Sequence, residues 1–408
     1  MTAKRPVSSS RRVERRRRNW CSGAAGLMAL VLAACGGPAA AGRHLDAPSV
    51  SQGQTTNKRS TSPVTATTSA CSNATVVASW TVEQQAAQVI VVPAEETDVA
   101  QVAPSVRAGA GGIILFGSSA PTGLGTQLAR AEEGAPGGLK PFVMTDEEGG
   151  TVQRMANLVG SLPWPRTMAS TMSVSQVQSL AESTARAMSA NGVTMDLAPV
   201  LDLASGPGPD AQHTDGPRSF SINPSITSEY GIAFAQGLEA GGVTPVVKHF
   251  PGEGSATANT DDGPAATPPL DQLQQDDLLP FEAAIKAGLP AVMVGNASVP
   301  GLTTMPASLS SSVIQGLLEG QLGFQGLVIT DSLSAGAISN LGLSAGQAAV
   351  EALSAGADMV LFNSNDPVTD FQSIVQDIVA AVDKGTIPSA RLSDAVNAVV
   401  TAKHASLC

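Results

Sequence analysis

An α/β fold of the (β/α)8 type, a TIM barrel in a single domain with extra C-terminal helices, is what this sequence predicts. Three observations lead there. From about Trp80 onward, short apolar runs alternate with stretches of helical period, glycines close four of the helical stretches, and no separate β-rich region follows. The apolar runs fall at 88–92, 112–116, 141–145, 193–197, 244–248, 291–295, 327–330 and 358–362, which makes eight strands in about 330 residues. That count favours a closed barrel over an open, doubly wound sheet.

Helices are expected over 174–191, 226–240, 273–287 and 309–322, stopping at Gly192, Gly241, Gly288 and Gly323. Two more, at 370–384 and 390–404, would finish the shell. No Gly-x-Gly-x-x-Gly follows a strand, and neither a phosphate-binding Walker loop nor a paired-cysteine zinc pattern occurs.

The start of the chain reads differently. Residues 1–34 hold eight Lys or Arg and one acid, leaving 15 basic against 33 acidic residues for the rest. An acidic body with 3% aromatics suits neither polyanion binding nor base stacking, so nucleic acid is not an expected partner. The basic run 11–18, the short apolar run 24–32 and Leu32-Ala33-Ala34-Cys35 have the form of a bacterial lipoprotein signal. The expectation is a signal peptide over 1–34, lipidation of Cys35, a disordered Ala/Gly/Ser/Thr/Pro tether over 35–70 and a folded domain over 71–408. The protein would then be an exported membrane lipoprotein on the extracytoplasmic face, and a monomer. In that oxidising compartment Cys71 and Cys408, at the two ends of the domain, are expected to form a disulfide rather than remain free thiols.

In such a barrel the C-terminal ends of the strands converge on one mouth, so polar residues there are the first candidates for chemistry. Asp146 follows the third strand, Asp196 lies in the fourth, Lys248 and His249 end the fifth, Asn296 the sixth, Asp331 the seventh, and Asn363 with Ser364 the eighth. Any one of these alone reads as a helix cap or an ion pair. Their coincidence at one rim points to a site.

Four ordered segments, Thr145-Asp146-Glu147-Glu148-Gly149-Gly150-Thr151-Val152-Gln153-Arg154, Gly216-Pro217-Arg218-Ser219-Phe220, Lys248-His249-Phe250-Pro251-Gly252-Glu253-Gly254 and Gly326-Leu327-Val328-Ile329-Thr330-Asp331-Ser332, resemble the motifs of glycoside hydrolase family 3. The likeness runs from about Trp80 to His404 and is strongest to the compact bacterial β-N-acetylglucosaminidases of that family, which have the barrel alone. The chain would stop before the added domain that supplies the acid/base in the longer β-glucosidases. The resemblance implies Asp331 as nucleophile in a retaining mechanism, with Asp146, Arg154, Arg218, Lys248 and His249 holding sugar hydroxyls. It implies no metal or organic cofactor, and a carbohydrate substrate such as a muropeptide.

One loop departs from the pattern. Where the glucosaminidases carry Asp-Ser-His, with the histidine as general acid/base, this chain has Asn259-Thr260-Asp261, followed by Asp262, and Glu253 replaces a second family histidine. Three outcomes stay open. Asp261 is the acid/base; Glu253 or His213 takes that role; or the acid is absent, leaving a slow hydrolase or a sugar-binding lipoprotein. A β-glucosidase-type hydrolase is a further alternative.

Overall fold

The computed structural model describes residues 71–408. The expected signal peptide, the lipidation of Cys35 and the tether lie outside the described residues. Eight parallel strands close into a barrel in simple sequential order. They are β1 (Ile90–Glu95), β2 (Gly112–Phe116), β3 (Phe142–Thr145), β4 (Met195–Asp196), β5 (Thr244–Phe250), β6 (Ala291–Val294), β7 (Leu327–Ser332) and β8 (Met359–Leu361). Closure is made where Ile90 and Val91 register with Val360 and Leu361.

Alternation along each strand divides the core in two. Val91, Ile114, Met144, Met195, Val246, Met293, Ile329 and Met359 fill the barrel interior. Their neighbours Ile90, Val92, Ile113, Leu115, Val143, Val247, Val292, Val328 and Val360 face the helical shell. The interior is therefore packed, and only the mouth is free to bind a ligand. Val399, on the last helix (Ser389–Ala402), belongs to the same interior cluster.

Several boundaries differ from expectation, each for a physical reason. Gln88 ends the helix Val82–Gln88 and is not in β1, which runs on to Glu95. Two helices begin earlier than expected, at Pro224 and Pro367, because proline is well suited to the first helical turn, where its missing N–H is not needed. The expected helix at 273–287 divides into Leu270–Leu273 and Leu278–Lys286, and the one at 309–322 is a π-helix over Ser312–Gln321. At the Gly241-Gly242 pair the left-handed residue is Gly242, φ 87°, one position beyond the expected stop.

Cys71 and Cys408 are joined by a disulfide across a sequence separation of 337 residues. Beside the bridge, Asn73 Nδ2 donates to Ala405 O at 2.8 Å and Leu407 N donates to Asn73 Oδ1 at 2.9 Å, so the two chain ends are also tied by hydrogen bonds. Because a link between such distant residues restricts the unfolded chain strongly, Cys71→Ser should lower unfolding free energy by about 2–5 kcal/mol. Denaturant titration of the oxidised protein and the variant checks this; equal midpoints would contradict it.

Candidate active site

The C-terminal ends of the strands surround a cavity of about 640 Å³. Its floor is apolar, with Ile114, Leu197, Met293 and Leu361, and its walls carry nearly all the charge.

One wall is a connected ion-pair network. Lys248 Nζ lies 2.8 Å from Asp146 Oδ1 and 2.7 Å from Glu148 Oε1. Arg218 grips Glu148 with two bonds, Nε to Oε2 at 2.7 Å and Nη2 to Oε1 at 2.8 Å, and reaches Asp215 Oδ1 at 3.2 Å. Arg154 Nη2 stands 3.4 Å from Asp146 Oδ2 and its guanidinium lies over the Phe116 ring. Burial opposes ionisation of Asp146 and Glu148, but Lys248 with Arg154, and Arg218 with Lys248, outweigh it and hold both carboxylates below their ordinary range. Burial likewise opposes charge on Lys248, and Asp146 and Glu148 reverse that, so the ammonium stays charged. The result is a fixed array of charged donors and acceptors, suited to several hydroxyl groups at once.

The hairpin that carries this wall is stapled by Glu147. Its Oε1 accepts from Arg154 N at 2.6 Å and Met155 N at 2.7 Å, and its Oε2 from Gln153 Nε2 at 2.9 Å. Gly150 makes the turn at φ 62°, where a Cβ would fall 2.0 Å from the Trp164 ring.

On the opposite side Asp331, at the end of β7, accepts from its neighbour Ser332 N at 2.7 Å. Burial raises its pKa, His249 works against that, and the charge of Asp261 adds to the rise. Asn296 braces this strand end, donating through Nδ2 to Ser332 O at 2.9 Å and accepting from Ser308 Oγ at 2.6 Å.

The departing loop is fixed to the segment after β7. Gly336 N donates to Asp261 O and Ala337 N to Thr260 O, both at 2.9 Å, while Asn259 Oδ1 accepts from Asp261 N at 3.0 Å. Asn259, Thr260 and Asp261 line the cavity, Thr260 buried, Asn259 half-buried and Asp261 exposed at the rim; Asp262 is exposed and outside the lining. Glu253 lies deeper and is buried. Its Oε1 accepts from Ala297 N at 2.7 Å, its Oε2 has no partner, and burial followed by the nearby Asp331 charge raises it well above the ordinary range.

Of the residues expected at the mouth, Asp146, Lys248, His249, Asp331, Asn363 and Ser364 line the cavity, as do Arg154, Arg218, Glu253 and Asp261. Asp196 and Asn296 do not. Asp196 is wholly buried below the site, where its Oδ1 accepts from Glu147 N at 2.9 Å. His213 is also outside the lining; its Nδ1 pairs with Asp210 at 2.9 Å on an exposed loop.

Three charged residues emerge only in three dimensions: Glu148, Asp202 and Asp215. Glu148 stood inside the recognised Asp146–Arg154 motif, and Asp202 ends the apolar run Ala198-Pro199-Val200-Leu201, the same signal that marks Asp331. Asp202, Asp215 and His249 each place a ligand-type atom within 4.8 Å of the others. They do not read as a cation site, because Asp202 accepts from His249 and Glu253 backbone N–H groups and Arg218 already balances Asp215.

A buried array of charged groups around a carboxylate at a strand end, in the mouth of a (β/α)8 barrel, defines the class as a carbohydrate-active barrel enzyme. The chain belongs to glycosyl hydrolase family 3: the model of that family's N-terminal domain matches residues 81–402. It is 38% identical over 282 residues to the β-hexosaminidase LpqI of Mycobacterium tuberculosis, covering 67% of this chain and 71% of that one. Among solved structures, M. tuberculosis LpqI superposes with a TM-score of 0.75 at 34% identity, covering 82% of this chain and 96% of that one. A β-N-acetylhexosaminidase of Beutenbergia cavernae superposes with a TM-score of 0.70 at 29% identity, covering 80% and 100%.

Proposed function

We propose that this protein is a retaining, exo-acting β-N-acetylhexosaminidase that removes terminal β-linked amino sugars through a glycosyl-enzyme on Asp331. The observation that carries the reading is the Asp331 carboxylate facing, in one cavity, the Asp146–Lys248–Glu148–Arg218 network. Both chemical steps balance with this chain's own groups. Asp331 attacks the anomeric carbon, the glycosidic C–O bond breaks, and the departing oxygen takes a proton from the Asp261 carboxyl. Asp261, now ionised, takes a proton from water as that water's oxygen attacks the same carbon and Asp331 leaves.

Asp261 is preferred over Glu253 as acid/base because it sits at the exposed rim, where a leaving group must depart and water must arrive. Glu253 is 1% exposed and lies below. The pattern of residues 11–35 supports export and anchoring through Cys35, and with it muropeptide-like amino-sugar glycans of the envelope as substrate. A monomer is part of the same proposal.

The test compares aryl β-N-acetylglucosaminide with aryl β-glucoside. Turnover of the first in preference to the second is expected. Faster turnover of the glucoside would mark a β-glucosidase-type hydrolase, and saturable sugar binding without turnover a binding protein.

A further inference from the structure

Behind the cavity wall lies a buried cluster that the proposed chemistry does not itself use. Residues 198–201 run beside β5: Lys248 N donates to Pro199 O at 3.2 Å and Leu201 N to Lys248 O at 2.6 Å. That pairing sets Asp202, fully buried, directly behind His249. Asp202 Oδ2 lies 2.6 Å from His249 Nδ1 and accepts from His249 N at 3.1 Å, while its Oδ1 accepts from Glu253 N at 2.7 Å.

A carboxylate whose two oxygens both accept backbone N–H groups acts as an acceptor toward the imidazole too, so the ring proton belongs on Nδ1. Asp215 completes the cluster. It is buried, its Oδ1 is held by Arg218, and its Oδ2 has no partner although its carboxylate lies within 4.8 Å of Asp202 and His249. Two buried carboxyl groups so close share one proton, and the proton sits better on Asp215, whose free oxygen can donate, than on the fully engaged Asp202. His249 lines the cavity with its Nδ1 edge turned away from it, which leaves Nε2 on the cavity side. Burial first, then Arg218 and Lys248, disfavour a second proton on the ring, and the Asp331 carboxylate works in the other direction.

We propose that Asp202, backed by protonated Asp215, is a positioning residue that fixes His249 as the Nδ1–H tautomer, so that Nε2 accepts a hydrogen bond from a substrate hydroxyl. Lys248 and Arg154 offer only donors and Asp146 is committed to both. A neutral acceptor beside them fixes the direction of the hydroxyl proton and discriminates against a deoxy sugar at that point. The hydroxyl part of the inference rests on the carbohydrate reading; the tautomer does not.

The test is therefore made on the free protein. Nitrogen-15 NMR of the imidazoles at neutral pH, with His249 assigned among the four histidines through His249→Gln, should show a proton on Nδ1 and a bare Nε2. In Asp202→Asn the amide donates to Nδ1, so the proton should move to Nε2 and kcat/KM should fall about 10–100-fold, the effect of one mispaired buried hydrogen bond. Asp215→Asn, whose amide still donates to Asp202, should keep the wild-type tautomer. A wild-type ring protonated on Nε2, an imidazolium at pH 7, or an unchanged tautomer in Asp202→Asn would overturn the proposal. Should Asp202→Asn not fold, the wild-type and Asp215→Asn spectra decide. An inactive protein with the expected tautomer would count against the hydrolase reading alone.

Discussion

Asp331→Asn should abolish turnover of an aryl β-N-acetylglucosaminide, by a factor on the order of 10⁴ or more, with sugar binding retained. The amide fills the same space and still accepts from Ser332 N, so the strand end braced by Asn296 should persist. What is lost is the nucleophilic oxygen. The wild-type pH profile carries the same signature. The nucleophile works only when ionised, and burial raises its pKa above the ordinary carboxylate value, so activity should fall as pH drops through that raised value. A variant that retains a tenth of wild-type kcat with the same acid limb would contradict the assignment.

Asp261→Ala should divide substrates by leaving group. An unactivated disaccharide needs its departing oxygen protonated, and its rate should drop about 10²–10⁴-fold; an activated aryl glycoside needs little such help in the first step. Restoration of aryl glycoside turnover by added azide, with a glycosyl azide of retained configuration as product, would mark the missing base of the second step. If both substrates lose activity equally, or if Glu253→Gln reproduces the leaving-group dependence and Asp261→Ala does not, the acid is not Asp261. The backbone carbonyl that ties residue 261 to Gly336 is kept in this variant, so the loop is expected to stay in place.

The barrel was legible because its strands are short apolar runs separated by helical stretches, four of them closed by glycine. The helix Ala345–Ala355, capped by Ser344 with Gln347, was not among the expected ones. The rule that polar residues at strand ends meet at the mouth led to Asp146, Lys248, His249 and Asp331. It misled at Asp196, which ends β4 but is buried beneath the site as the acceptor of Glu147 N, and a two-residue strand gives no periodicity by which to see this. Asp202 and Asp215 were hidden for a different reason. They belong to a long irregular segment after β4, and only the pairing of residues 198–201 with β5 shows that this segment returns to the site. Glu148 was visible in sequence as one of three consecutive acids, but which of them faces the cavity depends on the hairpin fold that turns Glu147 inward to its backbone partners.

The central claim is a covalent intermediate on one named carboxylate, and chemical trapping reads it directly. The protein is incubated with a 5-fluoro glycosyl fluoride of N-acetylglucosamine, digested, and the labelled peptide located by mass spectrometry. One glycosyl label, on Asp331, is expected, formed in step with loss of activity. A label on any other residue, or continued turnover of the reagent with no covalent adduct, would contradict it.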